Sequence, residues 1–382
     1  MAFEITSTNP LTLKKWTAKD IKQAEHLFFY YSRGMIGKEG GAAICYKFDE
    51  LKGTKGDRIR IAMPGLADGV GQGDDGRLDN NEEALSINYD EVTVHERAHA
   101  LDLGGNMTNK RAAYNSMGVG RRELQRWRPR KIDGDITRAI HGLANEAANI
   151  ATVNQRTPSS GRVMYIGQTT GGTELADQGD DATLSAQTAT NALFGTTVIE
   201  RAARKAYTAD PFIAPIMTDG GRPVYIMEIS IWQAKALKAD TSWLAAQREM
   251  VAFAGEKSPL FKKALGVWSF GDGYVVVHVN PRTPYRSATQ YFWSSSDTVA
   301  SGKYVASAAL LGENAIGFAQ GQAWRMFTYY GDAGGSAQAA RHPRIGTDAI
   351  YGVACLQRKN SAGTALEDAG RIIVHTQVEV DS

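Results

Sequence analysis

Hydrophobic and polar positions alternate most regularly over residues 57–65 (DRIRIAMPG), where Arg58 and Arg60 share one side and Ile59 and Ile61 the other. A period of two predicts a strand with one buried face. Residues 86–103 (SINYDEVTVHERAHALDL) alternate again over a longer stretch. Between them, GLADGVGQGDDGRLDNNEEAL is polar, acidic and glycine-rich, with almost nothing to bury. The simplest reading is a long two-stranded hairpin projecting from the body. Two strands bury too little surface to be stable alone, so the ribbon is expected to need a neighbouring molecule.

A helical period replaces alternation elsewhere. From Lys19 to about Ser32, Ile21, Ala24, Leu27, Phe28 and Tyr31 fall on one face, and the run GMIGKEGGA ends that helix. The spacing predicts a helix over 108–127, with Thr108 as N-cap and Gly118 and Gly120 as weak points, and a second over 135–151. Residues 156–190 read as loop with one short strand, RVMYIG. Beyond them the pattern predicts helices at 194–208, 232–238 and 243–253 and strands at 223–230 and 273–279. Strand-like runs follow at 315–320, 324–330, 349–357 and 371–380. Residues 1–20, polar with scattered apolar anchors, read as an arm. Strands contributed by distant parts of the chain predict an α+β fold rather than a doubly wound sheet.

Composition narrows the function more than the fold. Hydrophobic residues make up 43% of the 382 and charged residues 22%, which excludes disorder over most of the length. The 43 basic and 41 acidic residues leave a net charge of +2, too little for a global field toward nucleic acid or an anionic membrane. Cys45 and Cys355 lie in apolar surroundings (AAICYKF, YGVACLQ), which predicts buried thiols rather than a disulfide framework. Nowhere do 18 apolar residues run together, and the first residues do not look like a secretory leader, so synthesis in the cytosol is expected.

Three stretches carry a family resemblance. GDRIRIAMPG followed by GQGDDGRLDNNEEALSINYDEVTVHERAHAL resembles the extended-loop hairpin of the major capsid proteins of N4-like podophages, members of the Hong Kong 97 capsid fold. KRAAYNSMGVGRRELQRW resembles the entry to that family's backbone helix. VYIMEISIWQAKALKADTSWLAAQREM and SPLFKKALGVWSFGDGYVVVH resemble its later signature, with Ser258 where asparagine is usual. The resemblance implies an arm and short helix over 1–50, an extended loop over 51–104, and a peripheral domain with the backbone helix over 105–155. An axial domain over 156–345, with a loop-rich insertion near 156–190, and C-terminal strands over 346–382 returning to the peripheral domain would complete it. It further implies a virion protein without catalysis or cofactor, assembled in the host cytoplasm. Hexamers and pentamers would form an icosahedral shell around double-stranded DNA held by non-specific contact. Portal, scaffold and decoration proteins would be its other partners.

The inter-subunit contact is expected on the hairpin, at Arg58, Arg60, Asp74, Asp75, Arg77, Asp79, Glu82 and Glu83, with the acidic tip meeting a basic patch on a neighbour. A basic cluster, Arg121, Arg122, Arg126, Arg128, Arg130 and Lys131, reads as an interface or inner-wall surface. The rival signal is His95-Glu96-Arg97-Ala98-His99, the H-E-x-x-H of zinc metalloproteases, in which two histidines one helical turn apart hold the metal. The alternation around it predicts a strand, on which His95 and His99 would stand about 13 Å apart, too far for one ion. A third reading, DNA binding through Arg121 to Lys131, is opposed by the near-neutral net charge.

Overall fold

The computed structural model describes residues 29–37, 43–64, 71–74, 77, 79, 82, 87–104, 110–111, 116–168, 175–187, 193–218, 221–249, 260–261, 263–287, 290, 292–293, 298–330, 343–361, 363 and 365–379. The arm over 1–20, most of the hairpin tip, and Asp75 and Glu83 lie outside those residues. The chain divides into two compact units: one takes 98–130 and 324–348, the other 28–97, 131–323 and 349–382.

The larger unit is built on a mixed sheet. Its strands are β6 (Val163–Gln168), β7 (Leu175–Asp177), β8 (Ile216–Met217), β9 (Pro223–Ile229), β10 (Gly266–Phe270), β11 (Gly273–Val279), β12 (Tyr285–Ser287), β13 (Tyr304–Leu311) and β18 (Arg371–Gln377). Among the described residues they run in the order β10-β11-β9-β13-β18-β6-β7, with β12 on β13 and β8 on β9. Helix α4 (Thr196–Thr208) turns Val198, Ile199, Ala202, Ala203 and Ala206 onto Tyr225, Met227, Val275, Val277, Leu310, Ile372 and Val374. Its period-3.6 stripe and the β-branched strands supply one continuous apolar layer. After β9, Ser230 and Gln233 form a capping box that starts α5 (Ile231–Ala239), and α6 (Thr241–Glu249) follows.

A second sheet takes β1 (Cys45–Phe48), β14 (Ile316–Tyr330), β15 (Pro343–Cys355) and β4 (His95–Asp102) in the order β1-β14-β15-β4, with β5 (Val153–Asn154) on β15. The hairpin strands β2 (Arg58–Pro64) and β3 (Ile87–Thr93) pair separately and antiparallel, Arg58 opposite Thr93 and Pro64 opposite Ile87. After the single turn α1 (Phe29–Ser32), helix α2 spans Ser116–Ile140 and passes through Pro129, and the short α3 (Asp181–Ala186) follows later in the chain. The first half of α2 belongs to the smaller unit and its second to the larger.

Several expectations change. The two helices expected at 108–127 and 135–151 meet in one helix that ends at Ile140. The alternation of 86–103 divides into β3 and β4, which join different sheets. Burial falls on Asp90, Val92 and Val94, then shifts phase to Arg97, so the strand rotates where it leaves the hairpin. Gly352 on β15 makes that crossing possible, since a Cβ there would lie 2.0 Å from the Thr93 carbonyl oxygen. The runs at 315–320 and 324–330 are one strand, and 304–311, for which no strand was expected, is the strand joining β9 to β18; between β15 and β18, β16 (Gln357–Lys359) and β17 (Leu366–Asp368) pair with each other.

Candidate assembly surface

The hairpin has two unlike faces. Ile59, Met63 and Val92 point inward and pack with Phe48, Leu51, Val94, Ala319, Ala354 and Leu356 of the same chain. Asp90 lies on that inner side and is clamped by Arg156: Nη1 to Oδ2 at 2.6 Å and Nη2 to Oδ1 at 2.7 Å. The same guanidinium donates to the carbonyls of Cys355 and Glu91, and the Gln357 backbone N–H donates to Asp90. Asn154 completes the anchorage, accepting from the Thr93 N–H at 2.8 Å and donating to its carbonyl at 2.9 Å. A bidentate arginine that also satisfies two carbonyls fixes geometry as well as adding energy. The base of the ribbon is therefore held by its own subunit, contrary to the marginal ribbon expected from two strands.

The outward face alternates with the inward one and carries Arg58, Arg60, Ala62, Ile87, Tyr89 and Glu91. Arg58 and Arg60 both pair across the ladder with Glu91, at 2.8 and 3.1 Å, and those hydrogen bonds hold its carboxyl below the usual carboxylate range. Toward the tip, Ile87 is 64% and Tyr89 63% exposed, with Ala62 opposite Tyr89 and the Arg60 guanidinium 5.1 Å from the Tyr89 ring. Two large apolar side chains thus stand on the solvent side of a ribbon whose other side is already filled. Asp74, Arg77, Asp79 and Glu82 are exposed beyond them. Asp74 has φ 48°, the left-handed conformation that aspartate tolerates in turns.

In the smaller unit, the first half of α2 carries the predicted basic cluster. Leu124 is fully buried, and Gly120 lets the helix approach closely, because a Cβ there would stand 2.9 Å from Leu103 and 3.2 Å from Ile345. Trp127 stacks on His99 at 4.7 Å and meets Trp324 edge-on at 5.7 Å. Arg121, Arg122 and Arg130 are exposed. Arg126 pairs with Glu123 at 2.7 Å, and Arg128 donates to the Arg325 carbonyl at 3.3 Å. Lys131 belongs to the larger unit, where it pairs with Glu146.

The H-E-x-x-H residues lie on β4, a strand. His99 is engaged with Trp127, Glu96 is exposed, and the buried member is Arg97, which donates to Asp135 and Glu146, each at 2.5 Å. Both cysteines are buried, and burial pushes both thiols well above their ordinary range. Sequence reading missed Asp90, Arg156 and Asn154, whose partners are 60 to 270 positions away; no local signature announces them.

Comparison with known proteins gives one consistent result. Residues 4–380 match the family model described as phage capsid protein. The fold is similar to the capsid of Ralstonia phage GP4, at 22% identity over 100% of both chains and a TM-score of 0.74. It is also similar to the capsid of cyanophage Pam1, at 18% identity, full coverage of both chains and a TM-score of 0.69. For the head of Helicobacter pylori bacteriophage KHP40 the identity is 15%, the TM-score 0.63, and the coverage 99% of this chain and 98% of that one. No curated protein matches the chain. With a mixed α+β fold, an anchored hairpin that leaves Ile87 and Tyr89 exposed, and a family model spanning nearly its whole length, the chain belongs to the phage capsid protein family, as a structural protein and not an enzyme.

Proposed function

We propose that this chain is the major capsid protein of a tailed, N4-like podophage, and that it assembles through hexamers and pentamers into an icosahedral shell of the Hong Kong 97 type enclosing double-stranded DNA. The observation that carries the reading is the outward face of the hairpin. Its inner face is satisfied within the subunit, while Ile87 and Tyr89 are left more than 60% exposed at neighbouring ladder positions. Exposed apolar area on a rigid, anchored ribbon favours a partner surface, and in a closed symmetric shell that partner is another copy. The arm over 1–50, the extended loop over 51–104 and the peripheral and axial domains follow the same plan. The tip carboxylates Asp74, Asp79 and Glu82, with Asp75 and Glu83, meet cations of the neighbour. Portal, scaffold and decoration proteins are its further partners in the virion.

Electron microscopy of the purified chain tests this directly, with closed shells or sheets of hexamers expected. Replacing Ile87 and Tyr89 together by Ser should leave a folded, soluble subunit, since both side chains already face water, and should abolish shells. Normal shells from that variant would overturn the assignment of this face. A wild-type chain that stays monomeric under every assembly condition would overturn the shell itself.

A further inference from the structure

Helix α1 is a single turn whose Tyr30 is fully buried against polar groups of the larger unit. The Tyr30 hydroxyl lies 2.9 and 3.0 Å from the carboxyl oxygens of Glu228 on β9 and 2.9 Å from the Thr137 hydroxyl on α2. The Phe29 backbone N–H donates to Asp133 at 2.5 Å, and Arg33 donates to His278 on β11 at 3.2 Å. Asn280, which follows β11, donates to Glu228 at 2.5 Å and to the Tyr30 and Thr137 oxygens at 3.3 Å each. Glu228 is 1% exposed, and the Thr283 hydroxyl reaches it at 3.4 Å.

A count of hydrogens shows what state of Glu228 this contact needs. Thr137 gives its one hydroxyl hydrogen to the Asp133 carbonyl at 2.9 Å, so it accepts in its contact with Tyr30. Tyr30 also has one hydrogen. With Glu228 ionised, that hydrogen goes to the carboxylate or to Thr137, and the other contact is left oxygen to oxygen. With Glu228 protonated, the carboxyl donates to Tyr30, Tyr30 to Thr137 and Thr137 to the Asp133 carbonyl, so every contact holds a hydrogen. Unmade hydrogen bonds between buried groups are costly, and α1 is held to the body through this chain.

We infer that α1 is a pH-sensitive latch: it stays closed over the body of the subunit while Glu228 carries a proton, and it opens as that proton is lost. The inference stands whether or not the chain forms shells. Burial, with Asp133 adding to it, pushes the Glu228 carboxyl up to about 7. The groups around it do not switch there. Burial pushes the Tyr30 hydroxyl and the Cys45 thiol of β1 up and holds His278 down at about 4, and Arg33, although lowered by burial, stays cationic. Asp133, itself raised by burial, is paired with Arg282 at 3.3 Å. Opening gives Glu228 to water, where a glutamate titrates near 4.3. The closed form therefore binds more protons between those values, and opening is favoured as pH rises through them.

The test is hydrogen–deuterium exchange of the purified full-length chain, followed by mass spectrometry and corrected for the intrinsic pH dependence of exchange. Protection of residues 29–37 should fall about 30-fold between about pH 5.5 and about pH 8. Low urea should leave that exchange unchanged while accelerating exchange in β13, because a local opening exposes little surface and global unfolding exposes much. Glu228→Gln, which cannot ionise, should show the same protection of 29–37 at both pH values. Tyr30→Phe keeps the ring that meets Phe29 edge-on at 5.0 Å and leaves Glu228 in place, yet it should be less protected than wild type at the lower pH. Constant protection of wild type across the range overturns the latch, and so does an equal fall in Glu228→Gln. Exchange of 29–37 that rises with urea in step with β13 overturns it as well, since the opening would then be global. So does a Tyr30→Phe variant as well protected as wild type at the lower pH.

Discussion

Carboxylates occur in two opposite circumstances in this protein. Asp135, on the second half of α2, is 1% exposed in its side chain, and its Oδ2 accepts from Arg97 at 2.5 Å, Thr152 at 2.8 Å and Tyr351 at 2.7 Å. Glu91, on the outward face of the hairpin, pairs with Arg58 and Arg60, both of which stand largely in solvent. The first cluster joins a helix, β4, β15 and the segment before β5 into one arrangement. The second keeps a ribbon straight and soluble while leaving its face available. Buried charge fixes the fold of the subunit here, whereas the exposed pair lies on the face proposed above for assembly.

The largest expected effect tests the buried side. Replacing Asp135 by Ala strands the Arg97 guanidinium, which is 3% exposed, and removes the acceptor of two hydroxyls. Breaking one partner of a buried pair costs about 3–5 kcal/mol, which chemical denaturation of the unassembled subunit would show as a lower midpoint at unchanged slope. A loss below about 1 kcal/mol would erase the contrast with the hairpin. Arg97 keeps its second contact, to Glu146, so the loss should lie toward the lower end of that range.

A second buried carboxylate gives a pH signature. Glu228, on β9, accepts from the Tyr30 hydroxyl at 2.9 and 3.0 Å and from Asn280 at 2.5 Å, and burial raises its pKa to about 7. An unfolded glutamate titrates near 4.3. Between those values the folded chain holds a proton that the unfolded chain has released, so stability falls as pH rises through that window and levels off above it. The fall is roughly 4 kcal/mol. Asp133, also raised by burial, adds in the same direction. Glu228→Gln should flatten most of the profile and be the more stable protein at pH 8; an identical slope in wild type and variant would place the titration elsewhere.

How much of this was legible in the sequence depends on whether a residue's neighbours lie nearby in the chain. Alternation found β2 and the hairpin return, and the 3.6 period found α4, because each has one buried and one wet face. It missed β13, where Val305 to Leu311 are all fully buried and four of the residues are alanine or serine. A strand covered on both sides has no alternation, and alanine favours helix when read locally. The phase change between Val94 and Arg97 was hidden because the inward residue is an arginine, paid for by carboxylates 38 and 49 positions away. On the proposed assembly surface the exposure of Asp74, Arg77, Asp79 and Glu82 was legible. The exposure of Ile87 and Tyr89 was not, since both look like core residues until the opposite face is seen to be full.

The smallest effect on the subunit is expected at that tip. Glu82 is exposed, and Glu83 precedes the return strand. Reversing both to Lys leaves the buried clusters untouched, and exposed ion pairs are worth about 0–1 kcal/mol each, so the unassembled subunit should melt within about 0.5 kcal/mol of wild type. Assembly multiplies the same small term, because every copy in a closed shell makes the contact once. Screening acts over about 8 Å at physiological salt, so the reversal should depress shell yield most at low ionic strength and converge with wild type as salt is raised. Shell yield against salt for both proteins is the measurement. Equal yields at every ionic strength would mean that the tip carboxylates face solvent in the shell, and the apolar pair Ile87 and Tyr89 would then carry the contact alone.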